Sequence, residues 1–399
     1  MKVLITTDWY QPCINGVVTS VLNLQRELNA QGHQVRILTL SQTTRSYAEG
    51  DVTYIGAVSA GRIYPGARLR AKPALRLIQD LIDWAPDVIH SQCEFSTFLM
   101  ARKIAEIRNI PIVHTYHTVY EDYTHYFSPS RKWGRRMVSL FSRRIISRTA
   151  CVIAPTEKVR RILDSYRVNR PVYVVPTGID LRKFALPADA GRRASLRQAL
   201  GIPTAQFVLL YVGRLAEEKN IEELLACQAS LARPDVTLLL VGGGPYRSVL
   251  EQRVRELGIE SSVVFAGMVP PDQIAEYYRA GDLFVSASSS ETQGLTYLEA
   301  LSSGLPALCR KDSCLEGVLE DGVNGWQFEN TLDFRARLDL FLSDESLRRH
   351  MARQAEDLAQ RRFSASVFAN RVTGVYTEAI RRHNSAQGEA AGGFFIANE

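Results

Sequence analysis

Short β-branched and apolar runs alternate with segments of helical apolar spacing along most of the chain. Residues 3–6, 35–40, 88–90, 112–115, 152–154 and 172–175 read as strands of a parallel sheet joined by crossover helices. The first crossover is legible over 19–30: Val18, Val21, Leu22, Leu24 and Leu28 fall largely on one face, and Gly32 is suited to end the helix. A polar segment with little apolar periodicity, 187–197, interrupts the series. A second series follows at 208–212, 237–241, 263–266, 283–285 and 307–308. The pattern predicts an α/β chain of two Rossmann-like, doubly wound parallel-sheet domains, with ligands in a cleft at the carboxyl ends of the strands. The domains are placed at 1–178 and 179–364. A last helical pattern over about 365–383 precedes a Gly- and Ala-rich tail, 384–399, expected to be mobile.

At 399 residues the chain exceeds one ordinary hydrophobic core, which agrees with two domains. Its 46% hydrophobic and 23% charged content is that of a globular protein. No apolar run approaches the roughly 18 residues of a membrane span, and the amino terminus turns polar too soon for a signal peptide. A cytosolic protein is expected. The six cysteines are scattered without metal spacing and read as reduced, mostly buried thiols.

Four strand ends carry groups suited to a nucleotide diphosphate. The first, Gln11-Pro-Cys-Ile-Asn-Gly-Val, places Gly16 before a helix, where backbone can approach a phosphate closely. The second, Gly213-Arg-Leu-Ala-Glu-Glu-Lys, offers Arg214 and Lys219 in one loop; these can neutralise a diphosphate leaving group without metal, or can be solvated cations. The third is the glycine-rich Val241-Gly-Gly-Gly-Pro. The fourth, Glu291-Thr-Gln-Gly-Leu-Thr-Tyr-Leu-Glu, puts Glu291 in a loop, Gly294 at a helix start and Glu299 about one turn inside. Carboxylates at its ends can accept hydrogen bonds from a sugar and a ribose, while N–H groups between them, including that of Leu295, face a diphosphate. Two solvated acids on an ordinary helix are the plainer reading. His117, after the run at 112–115, points to donor-sugar contact or orientation of an acceptor hydroxyl, or is a structural histidine; His90 and Glu94 are weaker candidates. No cluster has metal spacing, and no metal or cofactor is expected.

Between Arg131 and Arg148 every charged residue is basic. On a helical wheel Trp133, Met137, Val138, Leu140, Phe141 and Ile145 share one face, with Lys132, Arg135, Arg136 and Arg143 opposite; Arg144 and Ile146 break the pattern. Such a helix can lie in the headgroup region of an anionic bilayer, or can be a core helix with a solvated basic face. Arg131, Lys132, Trp133, Arg135, Arg136, Phe141 and Arg143 are its membrane-facing candidates. Nucleic acid is not an expected partner, because no binding module accompanies the charge.

Together, the Glu291/Glu299 pair, the Gly213-Arg214 to Lys219 loop, Gly16 and His117 resemble the retaining, family-four nucleotide-sugar glycosyltransferases of the GT-B fold. His114-Thr-Tyr-His-Thr-Val-Tyr-Glu-Asp-Tyr-Thr-His-Tyr and Glu291-Thr-Gln-Gly-Leu-Thr-Tyr are similar to the bacterial 1,2-diacylglycerol 3-glucosyltransferases. The resemblance covers Lys2 to about Phe328. It implies that Arg214 and Lys219 bind the donor diphosphate with Gly16 close by, that Glu299 binds ribose and Glu291 the sugar hydroxyls, that Gly294 and Leu295 act through backbone N–H, and that His117 lies by the sugar C6 near the acceptor. It also implies that the final helix crosses back to the first domain. Gly243, where relatives often have Asp, and Cys13 depart from the pattern.

The resulting expectation is transfer of glucose from UDP-glucose to diacylglycerol, with retention, by a protein bound peripherally to the cytoplasmic face of the membrane. Alternatives are another acceptor (a polysaccharide or a lipid-linked sugar), a UDP-N-acetylglucosamine 2-epimerase-like isomerase, or a non-catalytic membrane-associated protein.

Overall fold

The computed structural model describes residues 1–13, 15–60, 68–71, 74–121, 130–184 and 189–392, the side chains of Arg131 and 387–392 excepted. It divides into two units: Met1–Gly178 with Ala365–Glu399, and Ile179–Ser364.

In the first unit β1 (Lys2–Thr6), β2 (Gln34–Leu40), β3 (Tyr47–Glu49) and β4 (Val52–Ile55) are followed by a two-stranded ribbon, β5 (Ala57–Ser59) and β6 (Arg68–Arg70). Then come β7 (Val88–Ser91), β8 (Ile112–Thr115), β9 (Cys151–Ala154) and β10 (Val172–Val174). The main sheet runs β10-β9-β8-β7-β1-β2-β4-β3, parallel except where β3 meets β4. Alternation along β1 sends Val3 and Ile5 to a core shared with the helices Gly16–Ala30 and Ala365–Gly392. Leu4 faces the opposite core, under Leu75–Asp83 and Ser96–Arg108.

The second unit holds β11 (Phe207–Val212), β12 (Val236–Val241), β13 (Val263–Gly267), β14 (Leu283–Ser286), β15 (Ala307–Arg310) and β16 (Gly325–Phe328). Its order is β13-β12-β11-β14-β15-β16, parallel throughout. Val208, Leu210 and Val212 pack under the helices Ile274–Ala280, Leu295–Ser302 and Glu345–Phe363; Leu209 and Tyr211 face Ile221–Leu231, Arg247–Leu257 and Thr331–Ser343. Both units are therefore Rossmann-like, as the strand periodicity predicts.

Three local expectations are corrected. Ala190–Ala199, which overlaps the polar segment of little apolar periodicity, is a helix: the Asp189 side chain accepts from Gly191 N and Arg192 N, and its buried anchor is Arg197 rather than an apolar residue. Arg197 bonds the carbonyls of Ala280 and Gln206 and pairs with Asp282 at 2.7 Å, so no apolar periodicity announces the helix. The last helix does not end near 383 but runs to Gly392, through Ala, Gln and Glu residues of good helix propensity; 393–399 lie outside the described residues. In the helix Arg131–Ile146, Val138 and Ile146 are the buried apolar anchors, whereas Trp133, Met137 and Leu140 are exposed. Ile146, which breaks the wheel pattern, is thus a core residue.

Candidate active site

A doubly wound sheet opens a crevice at the carboxyl edge where successive connections leave in opposite directions. In the second unit that point lies between β11 and β14. The loop after β11 carries Arg214 and Lys219, and the loop after β14 carries Glu291. The structure joins them: Lys219 Nζ donates to Glu291 Oε1 at 2.5 Å, and both side chains are largely buried. Ser288 Oγ donates to the same oxygen at 3.1 Å, and Ser290 Oγ reaches the Glu218 carbonyl at 3.0 Å, which ties the two loops. Arg214 pairs with Glu218, a residue the sequence reading passed over although its four-residue spacing was visible. Both cations are thus held in place by carboxylates.

The glycine-rich end of β12 supports this floor. A Cβ at Gly242 would lie 1.9 Å from the Gly213 carbonyl oxygen, and one at Gly244 2.2 Å from that of Leu215, so only glycine permits the backbone contact. Leu215 N donates to the Gly243 carbonyl at 2.9 Å, which fixes the loop that carries Arg214.

Gly294 immediately precedes the helix Leu295–Ser302 with φ 71°, a left-handed conformation in which a Cβ would meet the Tyr297 ring at 2.5 Å. Gly294 itself supplies no side-chain cap, and the helix start with Leu295 lies at the same edge. Glu299 lies one turn in and accepts from the Tyr278 hydroxyl at 2.6 Å. Burial raises its carboxyl to about 7, against that hydrogen bond and the charge of Lys183. Nothing in the sequence signals the Tyr278 partnership.

The first unit has its own switch point, between β1 and β7. Gly16 opens the helix Gly16–Ala30 behind Asn15, whose side chain accepts from Val18 N; Ile14 lies outside the described residues. His117 Nε2 meets Gln92 Oε1 at 2.6 Å, which leaves Nδ1 as an acceptor. Burial, with His114 nearby, lowers His117 to about 4 although Glu94 opposes the shift, so the imidazole is neutral. His90, fully buried between the Tyr376 hydroxyl at 2.6 Å and Thr115 Oγ1 at 2.7 Å, is a structural histidine. Glu94 takes a larger part than its sequence context suggested: Oε2 accepts from Tyr120 at 2.5 Å and Oε1 faces His114 Nε2 at 3.3 Å. Asp8, which the sequence reading did not select, accepts from Thr97 N at 2.8 Å, and burial raises it to about 6.

On the helix Arg131–Ile146, Lys132, Trp133, Arg135, Arg136 and Arg143 are exposed, and Arg135 pairs with Glu121 at 3.0 Å. Phe141 departs from the expectation: it stacks on Phe95 at 5.8 Å and meets Tyr120 edge-on, so it turns inward rather than lying on the outer stripe. Arg131's side chain lies outside the described residues. Among the described residues no helix is long and apolar enough to cross a membrane, and no group of three or more His, Cys, Asp or Glu is placed to hold a metal ion.

Comparison with known proteins matches residues 14–183 to Glycosyltransferase Family 4 and residues 192–358 to the Glycosyl transferases group 1 model. The chain is 35% identical to an alpha-monoglucosyldiacylglycerol synthase of Streptococcus pneumoniae, over 96% of this chain and 87% of that protein. It is 28% identical to the synthase of the same name from Acholeplasma laidlawii, over 96% and 98% of the two chains. Among solved structures, Anabaena Alr3699/HepE in complex with UDP-glucose superposes with a TM-score of 0.73 at 19% identity, covering 95% of this chain and 100% of that one.

Proposed function

The chain belongs to glycosyltransferase family 4, with the GT-B fold, and from that premise we propose that it transfers glucose from UDP-glucose to the free hydroxyl of 1,2-diacylglycerol, retaining the anomeric configuration. The observation that carries the donor side is the Lys219–Glu291 pair across the β11/β14 switch point, with Arg214 beside it and Glu299 on the following helix. A diphosphate entering there exchanges carboxylate partners for phosphate oxygens. Lys219 and Arg214 then stabilise charge that grows on the leaving group, without a divalent ion. Glu291 is freed to accept from sugar hydroxyls, Glu299 accepts from the ribose, and the N–H groups at Gly294 and Leu295 face the diphosphate.

The acceptor assignment rests on the two relatives named as monoglucosyldiacylglycerol synthases. Gly16 and His117 belong to the first unit; neutral His117 is suited to accept from, and so orient, a hydroxyl. Among the described residues no side chain is arranged as a covalent nucleophile, and the reading is front-side attack in which the departing diphosphate takes the acceptor's proton. The exposed Trp133, Met137 and Leu140 among arginines suit peripheral attachment to an anionic membrane surface at the cytoplasmic face. The test is incubation with UDP-glucose and vesicles containing diacylglycerol, with products read by mass spectrometry and proton NMR. The expected product is an α-glucosyl lipid. UDP release that ignores the lipid, or a β-linked product, overturns the reading.

A further inference from the structure

A groove of about 480 Å³ lies between the helices Ser96–Arg108 and Arg131–Ile146, entirely within the first unit. Its walls are Phe95, Phe98, Leu99, Phe141 and Ile145, and almost all of its lining surface is apolar. Leu99 and Phe95 are 60% and 48% exposed, unusual for large apolar side chains beside one another. The two ends differ. Arg102, Arg144 and Arg148 stand at one, whereas the other reaches Glu94, only 6% exposed, directly after β7 at the carboxyl edge of the sheet. From Ser96, two residues past Glu94, to Arg102 the helix advances by roughly 9 Å.

This polarity selects an occupant. The deep end presents a carboxylate whose oxygens already take Tyr120 and His114 but keep lone pairs for one more donor. A neutral hydroxyl can donate there; an anionic phosphate is repelled by like charge. The middle takes hydrocarbon and the basic lip meets anionic headgroups. We infer that this groove receives one acyl chain of the neutral glycerolipid acceptor and that Glu94, backed by Tyr120, takes the hydrogen bond of the glycerol hydroxyl on entry, a bond the hydroxyl then exchanges for the diphosphate oxygen that receives its proton. The inference rests on the acceptor reading above and adds the path by which that acceptor enters. Gln92, whose Oε1 meets His117 Nε2, lies two residues before Glu94 after the same strand, so the two groups belong to one edge.

The experiment uses the full chain, UDP-glucose and vesicles containing dioleoylglycerol. Leu99→Trp fills the groove from an exposed position and should leave the melting temperature unchanged while lowering kcat/KM for dioleoylglycerol by at least about tenfold, since each buried methylene contributes roughly a factor of four. Dihexanoylglycerol, with fewer methylenes to bury, should lose less. Glu94→Gln should raise KM for both lipids, and Leu332→Trp, on the second unit, should behave as the wild type. A diglyceride with a diazirine in its acyl chain should label peptides that contain Phe95, Leu99 or Phe141, and phosphatidic acid carrying the same chain should not. If wild type and Leu99→Trp use dioleoylglycerol equally, or if phosphatidic acid labels the groove preferentially, the groove assignment falls while the acceptor reading stands. If the wild type glucosylates no diglyceride, both fall.

Discussion

The carboxyl edges of the two sheets are made of opposite materials. In the second unit, Lys219 pairs with Glu291 across the switch point, and Arg214 pairs with Glu218 within the loop after β11. In the first, a neutral imidazole and a buried carboxylate sit beside aromatic rings: His117 with Gln92, and Glu94 with Tyr120 and Phe95 near Phe141. One backbone plan thus serves two chemistries. Fixed cations suit an anionic leaving group, because they are oriented before charge develops. A partly apolar edge that offers acceptor groups suits an amphiphile's hydroxyl, which a fixed positive field would do nothing to activate.

The sharpest way to break this contrast is to remove charge from the second edge. Lys219→Ala should lower turnover by about 10²–10³, the usual loss when one preorganised stabiliser of a developing anion is deleted. The same change also leaves Glu291 facing the diphosphate. Turnover within tenfold of wild type, measured as UDP release with saturating lipid, would place the leaving-group stabiliser elsewhere.

A smaller effect separates the edges by pH. Glu299 titrates at about 7 in the folded chain against an ordinary 4.5, so the folded state holds the extra proton between those values and Glu299 lowers stability as pH rises through that window. Its ionised form accepts from ribose without having to lose a proton first, so UDP-glucose should bind more tightly as pH rises through about 7. Glu299→Gln should flatten that dependence and weaken binding by about tenfold, the scale of one charge-assisted hydrogen bond. Calorimetric titration at pH values on either side of 7 reads it. On the first edge, His117 at about 4 is neutral throughout that range, so His117→Ala should lower kcat without moving the pH profile. A His117-dependent inflection near neutrality would contradict the contrast.

What the sequence revealed and what it hid follow the same physics. Strands buried on both faces announce themselves as apolar runs, so most of both sheets is legible, while the edge strands β3, β4 and β16 are not among the runs the periodicity picks out. Glu291, Gly294 and Glu299 were legible because a loop, a helix start and its first turn are fixed by short-range spacing. The pairing of Lys219 with Glu291, 72 residues apart, was not, since it depends on which strands become neighbours. Glu94 was undervalued for a related reason: its importance comes from Tyr120 and from a groove formed by two helices distant in the chain. Arg197 concealed its own helix by anchoring it with hydrogen bonds where a leucine would have shown.

The helix Arg131–Ile146 offers the mildest test, because one element carries both a buried and an exposed apolar row. Val138 is 5% exposed and Trp133 59%. Val138→Ser removes core packing and buries a hydroxyl, so it should lower the melting temperature with little direct effect on vesicle affinity. Trp133→Ser should do the reverse. Arg136→Ala and Arg143→Ala remove exposed charge, and each should weaken binding to anionic vesicles about fivefold, from about 1 kcal/mol per basic residue near the surface. Neither should matter on neutral vesicles or at high salt, where the surface potential is absent or screened. Equal losses on neutral and anionic vesicles would mean that the arginines act by packing their stems and not by charge, and the exposed row alone would then account for attachment.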